Sequence, residues 1–87
     1  MSDESLLEFP CEFPIKMMGR DTSDFRATAR ALVEKHAGEV ADEAVKASLS
    51  RYGRFVSITV TITATSREQL DAIYHEVTAH EDVLMAL

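Results

Sequence analysis

The sequence predicts an α+β domain in which two helices cover one face of a four-stranded antiparallel sheet. Three observations point there. Arg54 to Thr65 reads RFVSITVTITAT and alternates apolar with hydroxyl side chains at the period of a strand. Two stretches, near 22–37 and 66–80, change to the period of a helix with a single apolar stripe. Shorter alternating runs flank them, so the order along the chain is β-α-β-β-α-β.

The first strand is CEFPIKMMG, where Phe13, Ile15 and Met17 alternate with Pro14, Lys16 and Met18. Pro14 lacks an amide hydrogen, so regular pairing is expected to begin after it, or that end of the strand to stay unpaired. Gly19 ends the run. In RDTSDFRATARALVEKHAG the residues Phe25, Ala29, Leu32, Val33 and His36 form one helical stripe. Thr22 or Ser23 caps its start, Asp24 suits the positive end of the dipole, Lys35 and His36 suit the other end, and Gly38 is a natural stop.

A second strand is expected over 44–51, with Val45, Ala47 and Leu49 alternating with Lys46, Ser48 and Ser50. RYGR then makes a turn, with Gly53 free to take positive φ. The returning strand sends Val56, Ile58, Val60, Ile62 and Ala64 one way and Ser57, Thr59, Thr61, Thr63 and Thr65 the other. In SREQLDAIYHEVTAH, Ser66 and Gln69 have the spacing of a capping box, and Leu70, Ile73, Tyr74 and Val77 form the stripe. DVLMAL closes the chain as a short strand with Val83, Met85 and Leu87 on one face. One apolar stripe per helix puts both helices on the same side of the sheet. That is the ferredoxin-like βαββαβ plan, with right-handed crossovers and sheet order 4-1-3-2.

The chain has 87 residues, too few to bury a second core, so residues 9–87 are read as one domain behind a loose acidic tail over 1–8. No run approaches the roughly 18 consecutive apolar residues of a membrane span. The first residues lack the basic and apolar regions of a secretory signal. Cys11 is the single cysteine, so an internal disulfide is impossible. The net charge of −6 repels phosphate backbones, and the nine Lys and Arg are scattered along the chain. The expectation is a cytoplasmic protein with no membrane and no nucleic-acid partner.

Catalytic readings find little support. His75 and His80, or Glu76 and His80, make a loose pair, short of the three or four convergent ligands of a zinc site. His36 reads as a helix-end residue. Cys11 sits beside Glu12, which opposes thiolate formation. No phosphate loop or nucleophile elbow occurs. Acylphosphatases share this plan and bind an anion after the first strand. Here that loop is GRDTSD, and Arg20 at a helix start would be the anion's partner. But that reaction relies on an asparagine, the chain contains none, and Asp21 and Asp24 would repel the anion. RNA-recognition motifs also share the plan but stack bases on aromatics of the middle strands. The corresponding face here shows Lys16, Met18, Ser57, Thr59, Thr61 and Thr63, with Phe55 only at one end. No catalytic residue, metal or cofactor is expected. What remains is the hydroxyl face, either simply wet or covered by a partner. Met18, Phe55, Leu84, Ala86 and the threonine methyls would make it semi-apolar.

LLEFPCEFPIKMMG, SITVTITATSREQLDAIYHEV and DVLMAL together resemble the YbeD family of small bacterial proteins of unknown function. The resemblance runs from Leu6 to the last residue and is carried by Phe9-Pro10, Phe13-Pro14, Met18-Gly19 and Val83-x-Met85-x-Leu87. It implies the ferredoxin-like fold and similarity to the ACT-like regulatory domain of D-3-phosphoglycerate dehydrogenase. ACT domains bind amino acids at the loop after the first strand, usually at a dimer interface. By position that loop is Gly19, Arg20, Asp21 and Thr22. The family's coding neighbours also imply a link to lipoate transfer. The resulting expectation is a non-enzymatic regulatory or adaptor module that binds a protein partner or a small-molecule effector. Its contacts are expected on the open sheet face (Lys16, Met18, Phe55, Thr59, Thr61) and on the loop Gly19 to Thr22. A homodimer through the sheet face or edge fits the same picture.

Overall fold

The alternation of the threonine-rich strand is realised as written. In the computed structural model, which describes residues 8–50 and 53–87, Val56, Ile58, Val60, Ile62 and Ala64 are each at most 4% exposed, while their odd-numbered neighbours lie on the other side of the sheet. The elements are β1 (Cys11–Arg20), α1 (Ser23–Ala37), β2 (Val45–Leu49), β3 (Phe55–Ala64), α2 (Arg67–Ala79) and β4 (Met85–Ala86). The sheet is antiparallel with order β2-β3-β1-β4, which is the predicted ferredoxin-like order read from its other edge. Most of the expected acidic tail, and Arg51 and Tyr52 of the expected turn, lie outside the described residues.

One apolar layer joins helices and sheet. Ile15 and Met17 of β1 and the even-numbered β3 residues meet Phe25, Ala29 and Val33 of α1 and Leu70, Ile73 and Val77 of α2. Burying these side chains removes apolar surface from water at about 25 cal/mol per Å², the main favourable term of folding. Phe13 meets Tyr74 edge-on, with ring centroids 6.4 Å apart. Thr22 caps α1, its Oγ1 accepting from the Phe25 N–H at 3.0 Å. Gly38 ends α1 at φ 80°, a conformation that disfavours a Cβ. Ser66 caps α2, its Oγ accepting from the Gln69 N–H at 3.0 Å. The reciprocal bond of the expected capping box is shifted by one residue: Gln69 Oε1 accepts from the Thr65 N–H at 2.8 Å. The other end of that amide donates to the His36 carbonyl at 3.1 Å, so Gln69 also ties α2 to the end of α1.

Three expectations are corrected. Pro14 does not delay pairing, because it sits inside β1 opposite Thr61. Lys16 and Met18 direct their backbone groups toward β4: the Lys16 N–H and C=O bond Leu87, and the Met18 C=O accepts from the Leu84 N–H. Pro14 has the same parity, so its missing N–H faces the side that β4 is too short to reach. The second strand is shorter than 44–51. A 3₁₀ turn over Asp42–Ala44 precedes it, and Arg30 braces that turn through Asp42 Oδ1 at 2.8 Å and the Val40 carbonyl at 2.6 Å. Beyond Val45 the helices leave this edge strand uncovered, and Leu49 is 56% exposed.

The third correction is the parity of the last strand. Met85 pairs with Met18, and Ala86 with Met17. Cross-strand partners share a face. Met85 and Leu87 therefore join the open face, and Ala86 packs toward the core, the reverse of the expectation. The reason is local. Val83 reaches the core from a turn closed by its N–H to the His80 carbonyl, before any strand pairing begins, so its direction says nothing about the strand that follows.

Candidate functional site

The open face is built in rows by strand register. One row runs Lys46, Thr59, Lys16. The next runs Ser48, Ser57, Met18, Met85. At the end of β1, Arg20 pairs with Phe55 and its guanidinium carbon stands 5.8 Å from the Phe55 ring centroid, within cation–π range. Thr61 lies opposite Pro14 and Thr63 opposite Glu12. Lys16, Met18, Ser57, Met85 and Leu87 enclose a shallow notch of about 50 Å³. So Lys16, Met18, Phe55, Thr59 and Thr61 share one face as expected. Lys46, Met85 and Leu87 belong with them and were not singled out by sequence reasoning. Counting back across the Gly53 turn would have placed Lys46 beside Thr59. Nothing in the sequence marked the register of β4.

The other expected contact region, Gly19 to Thr22, divides. Gly19 is no loop residue: it is buried inside β1, and a Cβ there would stand 2.6 Å from both the Asp82 carbonyl oxygen and the Phe25 ring. The chain uses glycine here for space. Arg20 is the last residue of β1. Only Asp21 and Thr22 form the connection, and both are already engaged. Asp21 accepts from Arg26 at 2.9 Å, and the Thr22 hydroxyl is the α1 cap. Beside them Arg20, Thr22, Asp24, Phe25, Glu81, Asp82 and Leu84 line a cleft of about 250 Å³. Three acidic residues and one arginine line it, the wrong balance for a phosphate.

On the helical side several charges are paired. Glu76 accepts from His36 Nε2 at 3.0 Å and from Lys35 Nζ at 3.1 Å. Those contacts, His36 first and Lys35 second, hold its carboxyl below the usual carboxylate range. Glu34 is held low in the same direction, first by the Val40 N–H and then by Arg30, although burial pushes the other way. The Tyr74 hydroxyl donates to the Leu87 carbonyl at 2.8 Å, and burial raises its pKa. His80 Nδ1 accepts from the Asp82 N–H at 3.1 Å, and Cys11 packs against the core. Among the described residues no three of His, Cys, Asp and Glu converge as metal ligands, and no helix is long and apolar enough to cross a membrane.

The plan and its register define a small ferredoxin-like α+β domain with one sheet face left uncovered by the described residues. The chain belongs to the family described as "Protein of unknown function (DUF493)", which matches residues 4–87 and is the YbeD family its residues resemble. It is 48% identical over 89 residues to a UPF0250 protein of Chromobacterium violaceum, covering 100% of both chains. It is 41% identical over 87 residues to a UPF0250 protein of Nitrosomonas europaea, again covering 100% of both. The solution structure of protein HP0495 from H. pylori has the same fold, at a TM-score of 0.72 and 18% identity, covering 100% of this chain and 94% of that one.

Proposed function

We propose that the protein is a non-enzymatic adaptor or regulatory module, ACT-like in plan, that acts in trans by docking a protein partner on its open sheet face. The observation that carries this reading is the composition of that face. Met18, Met85 and Leu87 stand together around a notch, flanked by Lys16 and a band of hydroxyls, and Met85 and Leu87 are 52% and 66% exposed. Clustered exposed apolar side chains with a polar rim are the usual mark of an interaction surface. Methionine adds adaptability, since its unbranched chain fits irregular partners. The lipoate-transfer enzymes implied by the family resemblance are the first partners to try.

The test uses three baits for affinity capture: wild type, the double variant Thr59→Glu/Thr61→Glu, and Asp71→Lys on the exposed side of α2. Each bait is checked for folding by its thermal transition. A partner held by wild type and Asp71→Lys but lost by the double variant is the expected result. Identical captures from all three would reject the reading.

A second reading is favoured by the cleft beside Arg20. Its one guanidinium, three carboxylates and apolar Phe25 and Leu84 suit a small ammonium-bearing effector such as an amino acid. Calorimetric titration with an amino-acid panel, repeated on Asp82→Asn, tests it. Heat that is the same in both proteins removes this site.

A further inference from the structure

We infer that the open face recognises an acidic protein segment carrying apolar anchors, an inference that rests on the docking role proposed for this face. The four strands contain four charged residues, Glu12, Lys16, Arg20 and Lys46, and strand parity puts all four on the open face. Three are cations, in a chain whose net charge is −6. The acidity of this protein is therefore carried by its helices, turns and ends, and the open face is a basic island.

The island has a shape. Lys46 and Lys16 flank Thr59 in one row, two strand spacings or about 10 Å apart. Arg20 lies four residues from Lys16 along β1, about 13 Å away. Its edges run through Met18, Ser57 and Thr59. Neither lysine forms an ion pair with any described residue, whereas on the helical side Arg26, Arg30 and Lys35 do, leaving only Arg67 of the Lys and Arg in the two helices without one among the described residues. Two unpaired ammonium groups beside hydroxyl donors attract carboxylates and repel basic surfaces. Met18, Met85 and Leu87 at the margin supply the apolar contact that gives such an encounter its lifetime.

Single-stranded RNA fits less well. Its bases stack on aromatic platforms, and the one aromatic that the strands place on the open face among the described residues, Phe55, stands at the end of β3 with Arg20 against its ring. The acidic remainder of the chain also opposes a phosphate backbone.

A random-peptide display library selected on the full chain tests the inference. Selected peptides are synthesised, mapped by amide NMR shifts, and titrated by fluorescence anisotropy against wild type and Lys16→Glu/Lys46→Glu. Both lysines are exposed, so the double variant is expected to fold, and its thermal transition checks this. The expected peptides are rich in Asp and Glu with Leu, Met or Phe, and they shift amides around Met18 and Thr59. They lose about tenfold or more in affinity on charge reversal and weaken severalfold as salt rises. Peptides that map to the open face yet show no acidic bias and ignore the reversal overturn the inference and leave the docking role standing. A selection that enriches no face-mapping peptide overturns both. Oligouridine RNA bound by wild type and released by the reversal would make nucleic acid the ligand instead. A concentration-dependent dimer in sedimentation, abolished by the reversal, would make it a second copy.

Discussion

The two faces of β3 share one backbone and differ in everything else. The even-numbered side chains are aliphatic, buried to 4% exposure or less, and enclosed by two helices. After Phe55 the odd-numbered ones are hydroxyls, in rows that include lysine and methionine. The charged groups follow the same division. On the helical side Arg26, Arg30, Lys35 and His36 each find a carboxylate and Arg67 of α2 does not, while on the open side Lys16 and Lys46 both find none among the described residues. Exposed ion pairs add little stability one by one, but they leave a surface electrostatically quiet. One face is thus occupied with holding the domain together, and the other is free of that duty.

The comparison breaks first at adjacent residues. Ile58→Ala leaves a cavity under α1 and α2 and is expected to cost about 2–5 kcal/mol. Thr59→Ala, one residue on, is expected to change stability by no more than about 0.5 kcal/mol. Urea denaturation of both variants reads the difference directly. Equal losses would mean that the open face carries structure as well.

Gly19→Ala is the next largest. The added methyl meets the Asp82 carbonyl and the Phe25 ring at 2.6 Å, so the turn after α2 or the ring must shift. A loss of about 1–3 kcal/mol is expected from this overpacking. Calorimetric melting measures it. A neutral result would show that the 81–82 turn yields easily, and with it the wall of the cleft beside Arg20.

Legibility in the sequence followed the same division. The run Val56 to Thr65 carries five apolar–hydroxyl repeats, so the parity of β3 was readable without a partner, and the helices were readable from their stripes and caps. β4 has only two paired residues and is approached by a turn that also buries an apolar side chain, so alternation counted from Val83 ran the wrong way. Gly19 looked like the start of a loop because a glycine inserted for space and a glycine inserted for φ are the same letter. The cleft unites Arg20 and Asp24 with Glu81, Asp82 and Leu84, residues about sixty positions apart that only the β1–β4 pairing brings together. The brace of Arg30 on Asp42 and Val40 is likewise tertiary; only its four-residue spacing to Glu34 was visible.

The smallest effects give the sharpest contrast, because they set a paired charge against an unpaired one. His36 and Lys35 favour the ionised form of Glu76, so its pKa is lower in the folded chain than in the unfolded one. The unfolded state then binds the proton at higher pH than the folded state does. This contribution is fully present above the usual carboxylate range and is lost as pH falls through that range and below. Glu76→Gln is expected to be less stable than wild type near neutral pH, with the gap closing below about pH 4. Lys16→Gln removes a charge that has no carboxylate partner among the described residues, so its stability difference from wild type should stay level over the same window. Urea midpoints for the three proteins between neutral and acid pH decide it. A Lys16→Gln difference that follows Glu76→Gln as pH falls would mean that the lysine is tied to an acid of its own chain. The open face would then be as closed electrostatically as the helical one.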